Sequence, residues 1–272
     1  MTARRVALVT GVSSGIGFAT ARELIRQGFL TFGTIREQSK VENPLPGLEM
    51  VRLDVRDDES VKAAVTEVVD RAWRIDALVN NAGAGLFGSL EETSISEAKE
   101  LFETNFFGVM RMSQAVLPFM REQNYGRIVN VSSVLGFLPA PYMGVYAATK
   151  HAIEAYSESL DHEVRRFGIR VSIVEPAYTR TKFGQNSRQV SHTLADYDAD
   201  RGSVLAAMEK SVANGAESAS VASVVVRALT SRRPRLRYAS GRQAKLLTYL
   251  KKFAPERLLD SGLRKEFGLT TV

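Results

Sequence analysis

A tyrosine and a lysine stand four residues apart, at Tyr146 and Lys150. On a helix this spacing places a phenol and an ammonium on the same face. A phenol has a pKa near ~10, so it serves as an acid-base catalyst at neutral pH only if its anion gains roughly 4 kcal/mol of stabilisation. One cation about 4 Å away, at an effective dielectric constant of about 20, supplies that much. The pair therefore predicts proton transfer at a substrate oxygen, although the same spacing also arises by chance in many helices.

The N-terminal segment predicts a phosphate-binding turn. Residues 6–10 are apolar and β-branched, which indicates a buried strand, and the run Thr10-Gly11-Val12-Ser13-Ser14-Gly15-Ile16-Gly17 follows directly. Its three glycines permit a sharp turn and a close approach of the backbone to a phosphate, and the next helix offers free N–H groups. The same glycines would also fit an ordinary tight turn. The position after the first strand favours a dinucleotide site.

A further motif, Asn80-Asn81-Ala82-Gly83, lies between the glycine loop and the Tyr-Lys pair. With it the chain resembles the short-chain dehydrogenase/reductase family, because the family's T-G-x-x-x-G-x-G, N-N-A-G and Y-x-x-x-K motifs all occur here in the family's order. The resemblance covers residues 4 to about 182. Residues 34–37, 108–112 and 156–160 are most similar to estradiol-type hydroxysteroid dehydrogenases and retinol dehydrogenases. The resemblance implies a nicotinamide-dependent oxidoreductase acting on CH–OH groups, assembled as a homodimer or homotetramer.

The resemblance also implies a catalytic set of Asn105, Ser133, Tyr146 and Lys150. Ser133 would donate to the substrate oxygen, with Ser132 as the alternative. Only one of the two serines can point into the site, because neighbouring strand residues face opposite sides. Asn105 would lie in the long helix after the fourth strand and hold a water that links Lys150 to solvent. Lys150 would also bond the nicotinamide ribose.

The cofactor contacts implied by the resemblance lie at the ends of the strands. Asp54 would hold the adenine amino group, Asn81 would support the glycine loop, and Thr181 would lie near the nicotinamide carboxamide. All three residue types are also common in turns and caps. The predicted cofactor-binding residues are Gly11, Ser13, Ser14, Gly15, Ile16, Gly17, Arg36, Asp54, Val55, Asn81, Ala82, Gly83, Tyr146, Lys150, Pro176, Thr179 and Thr181.

The choice between the two nicotinamide dinucleotides depends on the end of the second strand, where an acidic side chain would bind the ribose of NAD. Ile35 and Arg36 stand there. An isoleucine cannot hold ribose hydroxyls, whereas a guanidinium can bind a 2′-phosphate through paired hydrogen bonds. We therefore expect NADP(H). In the competing interpretations Arg36 is a surface charge, or Glu37 neutralises it or takes the ribose itself.

Strand-like runs alternate with helix-length segments, which is typical of right-handed βαβ units. We expect an α/β fold: one Rossmann-like, doubly wound parallel sheet of about seven strands with helices on both faces. The expected strands are 4–10, 29–35, 49–53, 76–80, 126–132, 169–175 and 235–239. The expected helices are 15–28, 58–73, 96–123, 146–167 and 217–231. The long helices at 96–123 and 146–167 would form the contact between subunits.

The segment at about 177–217 is long and mixed in composition, which favours a lid over the substrate. A bulky hydrophobic alcohol or ketone, such as a steroid or a retinoid-like compound, is the expected substrate, since no arginine cluster indicates an anionic one. The same apolar residues would also suit an ordinary core. The residues expected to line the pocket are Phe137, Leu138, Tyr142, Met143 and Phe183.

The composition suits one domain over the whole 272-residue chain, with 44% hydrophobic residues. The chain contains no cysteine, which excludes disulfides and thiolate chemistry. Its first strand begins too early for a signal peptide, and no apolar run approaches the ~18 residues that cross a bilayer. A cytoplasmic protein is the expectation.

The positive charge is concentrated at the C-terminus. Residues 231–272 hold eleven Lys/Arg and three Asp/Glu in a chain of net charge +6, so the remainder is close to neutral. Apolar residues alternate with cations in the extension at about 241–272, which predicts basic amphipathic helices. A solvated face over a core contact is the first interpretation and peripheral membrane contact the second. Nucleic acid is not expected as a partner, because no recognition module accompanies the charge.

Parts of the sequence also fit three rival functions. Residues 11–15 match the G-x-S-x-G pattern of a hydrolase with Ser13 as nucleophile, but that elbow normally follows several strands. The second rival is a dinucleotide-sensing module without turnover, and the third is an NAD(H)-dependent dehydrogenase of a small alcohol. No metal site is expected, because His151, His162 and His192 lack paired ligand spacing.

Overall fold

The computed structural model describes residues 4–36, 45–181, 183–184 and 187–269. The strands are β1 (Val6–Thr10), β2 (Leu30–Ile35), β3 (Leu48–Arg52), β4 (Ala77–Asn80), β5 (Leu86–Phe87), β6 (Gly126–Val131), β7 (Ile169–Pro176), β8 (Thr179–Arg180), β9 (Arg188–Gln189), β10 (Ala216–Glu217) and β11 (Arg237–Ser240). The α-helices are α1 (Gly15–Arg26), α2 (Asp58–Ala72), α3 (Ile95–Phe102), α4 (Gly108–Glu122), α5 (Gly144–Val164), α6 (Asp198–Ala213), α7 (Ser218–Thr230), α8 (Gly241–Phe253) and α9 (Glu256–Glu266).

Seven strands form one parallel sheet in the order β11-β7-β6-β4-β1-β2-β3. From β1 the chain builds outward first through β2 and β3, and then on the other side through β4, β6 and β7. The order therefore reverses between β1 and β4, and such a switch point opens a crevice beyond the carboxyl ends of the strands. The predicted doubly wound fold is confirmed.

Burial on both faces explains why β1 reads as a continuous apolar run. Val6 and Leu8 join the core on one side of the sheet, and Ala7 and Val9 join the core on the other side. Helices α2, α4 and α5 cover the first side, while α1 and α7 cover the second. The alternation of side chains along each strand thus builds two cores from one sequence run.

The structure adds elements that the sequence pattern did not predict. The expected helix over 96–123 is broken by a π-helical turn, Glu103–Phe107, between α3 and α4. The segment 177–217 contains α6 and three short strands, and β9 pairs with β5 while β10 pairs with β8. Helices α8 and α9, by contrast, lie in the C-terminal extension, where the sequence pattern did predict helices. Among the helices described, none is both long enough and apolar enough to cross a membrane.

Candidate active site

Tyr146 lies in the first turn of α5 and is 8% exposed. Lys150 follows one turn later and is similarly buried. Its Nζ lies 5.6 Å from the centroid of the Tyr146 ring and donates a 2.9 Å hydrogen bond to the carbonyl oxygen of Val131, at the end of β6. The helix therefore brings the phenol and the ammonium together at the carboxyl edge of the sheet.

Burial shifts the pKa values of both groups. It raises the pKa of Tyr146, and a hydrogen bond with Ser133 acts in the opposite direction. It lowers the pKa of Lys150 to about 8, against the charge of Glu154, which raises it. The Lys150 ammonium bonds the carbonyl oxygen of Val131 rather than the phenol. That Lys150 lowers the pKa of Tyr146 when the cofactor is bound therefore stays a prediction.

The two serines after β6 lie in different surroundings. Ser133 caps the 3-10 turn Val134–Gly136, where its Oγ accepts a 3.1 Å hydrogen bond from the Leu135 N–H, and it is the hydrogen-bond partner of Tyr146. Ser132 is buried and its hydroxyl faces Glu154 instead. Ser133 is therefore the serine on the side of the phenol.

Asn105 lies in the π-helical turn rather than in a regular helix. Its Nδ2 donates to the carbonyl oxygen of Ala84 at 2.9 Å and to Thr149 Oγ1 at 3.2 Å, and its Oδ1 accepts from the Ala84 N–H at 2.8 Å. The Thr149 hydroxyl in turn donates to the carbonyl oxygen of Tyr146 at 2.7 Å. Asn105 thus ties the segment after β4 to the first turn of α5. Single π-turns of this kind often occur at functional sites.

The glycine loop closely approaches the segment after β4. A Cβ at Gly17 would lie 2.2 Å from the Gly11 carbonyl oxygen and 2.4 Å from Asn81 Nδ2, so a larger residue does not fit. Asn81 Nδ2 donates to the carbonyl oxygens of Thr10 and Gly11 at 2.9 and 3.0 Å. Thr10 Oγ1 accepts from the N–H groups of Asn81 and Ala82, each at 3.0 Å. Sequence reasoning assigned no role to Thr10, which holds this junction.

The start of α1 fits an anion. Its N-cap residue Ser14 makes no side-chain capping hydrogen bond within the described residues, and the first turn of α1 contains no acidic side chain. Ser13 is exposed beside it. Uncapped N–H groups and the helix dipole favour a phosphate at such a terminus. The loop thus has the cradle and the donors that a dinucleotide diphosphate requires.

The remaining predicted cofactor residues lie at or beyond the carboxyl ends of the strands. Thr181 lies beside Gly15, whose Cβ would lie 3.3 Å from Thr181 Cγ2. Arg36 is exposed just past β2, and Glu37 lies outside the described residues. Asp54 is bound by Arg56 at 2.6 Å, which lowers the pKa of Asp54, so an adenine amino group would have to share this carboxylate. Val55 lies in the segment after β3, Ala82 and Gly83 lie in the segment after β4, Pro176 ends β7, and Thr179 begins β8.

Comparisons with known proteins identify the family. The short chain dehydrogenase family model matches residues 5–191. The chain is 36% identical to 3-ketodihydrosphingosine reductase of Bacteroides thetaiotaomicron, over 96% of this chain and 97% of the relative, and 37% identical to bovine (Bos taurus) retinol dehydrogenase 8, over 96% and 95%. A crystal structure of a short-chain dehydrogenase from Streptomyces avermitilis matches all of both chains with a TM-score of 0.84 and 34% identity. The chain belongs to the short-chain dehydrogenase/reductase family. The expected resemblance is confirmed, and this protein is an oxidoreductase.

In this short-chain dehydrogenase/reductase an apolar cluster adjoins the phenol. Tyr142 and Met143 pack in one cluster with Tyr146, and Phe183 lies 5.7 Å from Tyr146 between ring centroids. The expected lining residues Phe137 and Leu138 lie outside this cluster. Its other members come partly from the segment 177–217 and from the end of the chain: Val190, Val204, Leu205, Met208, Leu263 and Phe267.

Helix α6 of the predicted lid is tied to the body of the enzyme. Arg201 forms an ion pair with the buried Glu92, whose carboxylate also accepts hydrogen bonds from the N–H groups of Leu194 at 2.7 Å and Ser89 at 3.1 Å. Burial raises the pKa of Glu92, but these donors and the arginine outweigh it and hold the pKa at about 2. The carboxylate therefore stays ionised at neutral pH.

A buried charged group behind Lys150 was missed by sequence reasoning. Glu154 lies one turn beyond Lys150 on α5, and Arg237 from β11 donates to it at 3.0 Å. Glu175 on β7 is also buried, with Oε1 3.7 Å from Arg237 Nε. The four-residue spacing from Lys150 to Glu154 was a usable signal for the first of these carboxylates. No comparable spacing marks Glu175.

Proposed function

We propose that this enzyme is an NADP(H)-dependent oxidoreductase that interconverts a hydrophobic secondary alcohol and its ketone. The observation that carries the proposal is the buried Tyr146, placed between Ser133 and Lys150 at the edge of the sheet where the glycine loop lies. A phenol, a hydroxyl donor and an ammonium in one water-poor site suit proton transfer to an oxygen atom that gains or loses charge.

The cofactor, when bound, supplies or accepts the hydride at the carbinol carbon. In the direction of reduction Tyr146 gives its proton to the substrate oxygen, and Ser133 donates a hydrogen bond that stabilises the developing negative charge. Lys150 keeps a positive charge near the tyrosinate that remains. Asn105 fixes the first turn of α5 through Thr149, and this contact holds Tyr146 in position.

Arg36 supports NADP(H) as the cofactor. It is exposed just past β2, at the same edge of the sheet as the glycine loop, and its charge acts on Asp54 beyond the neighbouring strand. A guanidinium placed there can bind a 2′-phosphate in a bidentate manner. NAD(H) with a small alcohol as substrate is the alternative, and it would require Arg36 to be a surface charge alone.

The hydrophobic substrate is supported by the apolar cluster around Tyr146 and by two relatives. The names of those relatives refer to a ketodihydrosphingosine and to retinol, and both compounds are lipophilic. Apolar side chains such as Met143 and Phe183 recognise a substrate by burying its hydrocarbon surface rather than by charge. We propose a bulky alcohol or ketone whose polar group reaches the phenol.

The decisive experiment replaces Tyr146 by phenylalanine. The ring still fills its space, but the proton donor is lost, so kcat should fall by about a hundredfold or more with lipophilic ketones and NADPH. Tyr156→Phe is the matched control. Tyr156 lies on the same helix, but it packs against the core beneath α2 and α4 instead of the cluster that contains Tyr146. Unchanged turnover of the Tyr146→Phe variant would reject the mechanism. Failure of the wild-type enzyme to oxidise NADPH with any ketone of a broad panel would favour a dinucleotide-sensing module.

We further propose that the enzyme forms a homodimer or homotetramer through α4 and α5. Phe107, in the turn that leads into α4, is 40% exposed and would be covered in such a contact. Light scattering coupled to size-exclusion chromatography measures the mass directly. A monomer would reject this part of the proposal.

A further inference from the structure

Helix α8 presents an apolar stripe to solvent. Leu246, Tyr249 and Phe253 follow each other at intervals of three and four residues, so they share one face. Their exposed fractions are 56%, 62% and 61%. The rings of Tyr249 and Phe253 contact each other at 4.8 Å between centroids. Single exposed apolar residues are common, but a contiguous stripe of this kind marks an interaction surface.

Cations flank this α8 stripe. The helix carries Arg242, Lys245, Lys251 and Lys252 and no acidic residue. Across the described part of the chain, none of these four side chains takes part in a salt bridge. Lys252 Nζ lies 5.4 Å from the centroid of the Phe253 ring. The helix therefore combines an exposed aromatic and aliphatic stripe with unneutralised positive charge.

This combination selects among the surfaces that would cover the stripe. A second copy of the chain in a two-fold contact would bring α8 against α8, and four cations would face four cations. Nucleic acid would meet the cations but would leave the apolar stripe without a partner. An anionic lipid surface satisfies both features, because the apolar side chains enter the boundary between headgroups and acyl chains while the cations meet the headgroups.

We propose that α8 docks this enzyme on the surface of an anionic lipid bilayer. The stripe Leu246, Tyr249 and Phe253 inserts at the level of the headgroups, and Lys245 and Lys252 contact the anionic groups beside it. Docking is peripheral and reversible, since it depends on one short helix and on charges that salt screens. It does not depend on the reaction proposed above.

The placement of α8 relates the docking surface to the active site. The helix begins directly after Ser240, at the carboxyl end of β11, and it contacts the turn Val134–Gly136 that follows Ser133. The docking helix and the catalytic serine therefore lie at the same edge of the sheet. A bilayer bound by α8 would lie near this edge, where lipophilic substrates would enter.

Co-sedimentation of the full chain with lipid vesicles tests the proposal. The protein should sediment with vesicles of phosphatidylcholine and phosphatidylglycerol at low salt, and much less with vesicles of phosphatidylcholine alone or at high salt. Reversal of two charges in Lys245→Glu/Lys252→Glu should weaken binding to the anionic vesicles by about thirtyfold. Removal of the aromatic pair in Tyr249→Ser/Phe253→Ser should also release the protein.

Matched controls change the same residue types elsewhere on the surface. Trp73→Ser removes an aromatic side chain that is 88% exposed, and Lys62→Glu/Lys99→Glu reverses two exposed lysines outside α8. Both controls should sediment like the wild type, and circular dichroism should show all variants folded. Absence of wild-type binding to anionic vesicles at low salt would overturn the proposal. Equal weakening by the control variants would overturn it as well. So would a Tyr249→Ser/Phe253→Ser variant that changes its oligomeric mass but still sediments with the anionic vesicles like the wild type.

Discussion

Glu154 lies one helical turn beyond Lys150 on α5, and the two buried side chains interact through their charges. Burial lowers the pKa of Lys150 to about 8, and the carboxylate opposes this effect. Burial raises the pKa of Glu154. Arg237 donates to the Glu154 carboxylate at 3.0 Å, and this contact favours the ionised form. The ammonium required by the proposed chemistry is therefore maintained by a second charge that touches neither substrate nor cofactor.

We predict that Glu154→Gln shifts the alkaline limb of the pH profile of kcat/KM to lower pH. Loss of the carboxylate lets the pKa of Lys150 fall further, so the ammonium loses its proton at a lower pH, by roughly one unit if the charge contributes about 1.4 kcal/mol. Groups that face Glu154 are Lys150 and His151 on its own helix, Arg237 from β11 and Glu175 from β7. Assays over a pH series with saturating cofactor measure the shift.

Glu158→Gln is the control for this prediction. Glu158 also binds Arg237, at 2.8 Å, but it lies a further turn from Lys150 and is exposed. Its loss should leave the alkaline limb in place. If both variants retain the wild-type profile, Glu154 does not set the charge of Lys150.

We predict that Gly17→Ala abolishes binding of the dinucleotide while the fold remains. The added methyl group would meet the Gly11 carbonyl oxygen and Asn81 Nδ2, so the loop must move away from the position that fits a phosphate. Calorimetric titration with NADPH should show a loss of affinity of at least about a hundredfold, which corresponds to roughly 3 kcal/mol. Gly202→Ala is the control, since its Cβ would meet nothing within 4 Å. Wild-type affinity in the Gly17→Ala variant would argue against the loop as the cofactor site.

The sheet and the glycine loop could be predicted from the sequence because both depend on local patterns. Buried parallel strands produce continuous apolar runs such as residues 6–10, and a helix start packed closely against the preceding loop leaves room only for glycine at position 17. Each of the seven expected strands of the sheet corresponds to an observed strand.

The features that escaped prediction depend on contacts between distant segments. The π-helical turn exists where Asn105 reaches Ala84, twenty-one positions earlier, and periodicity within a helix does not encode that contact. The buried group of Glu154 and Arg237 joins positions 83 residues apart. Helix α6 was missed for a different reason, since it presents little apolar periodicity and buries Val204 alone of its described residues.

We predict that Arg36→Asp reverses the cofactor preference. A carboxylate after β2 repels a 2′-phosphate and can accept hydrogen bonds from ribose hydroxyls. The ratio of kcat/KM for NADPH to that for NADH should fall by about ten- to a hundredfold, as expected for the loss of charged hydrogen bonds. Arg52→Asp is the control, because Arg52 is exposed at the end of the neighbouring strand and pairs in register with Ile35. An unchanged ratio in the Arg36→Asp variant would favour the alternative with NAD(H).

We predict that the free energy of unfolding of the wild type falls as the pH rises towards neutrality, and that Glu175→Gln abolishes this fall. Burial and the neighbouring Glu154 raise the pKa of Glu175 to about 7, whereas the unfolded chain titrates near ~4.5. Between these two values the native state binds more protons than the unfolded state, so the free energy of unfolding falls as the pH rises, by about 3 kcal/mol at most. Glutamine stays neutral and should not show this fall, which makes the variant more stable than the wild type near pH ~8. Urea unfolding at about pH 5 and about pH 8 measures both differences. Glu158→Gln also leaves Arg237 without one partner and should keep the wild-type dependence of the unfolding free energy on pH. If Glu175→Gln kept that pH dependence too, Glu175 would not be protonated in the native state.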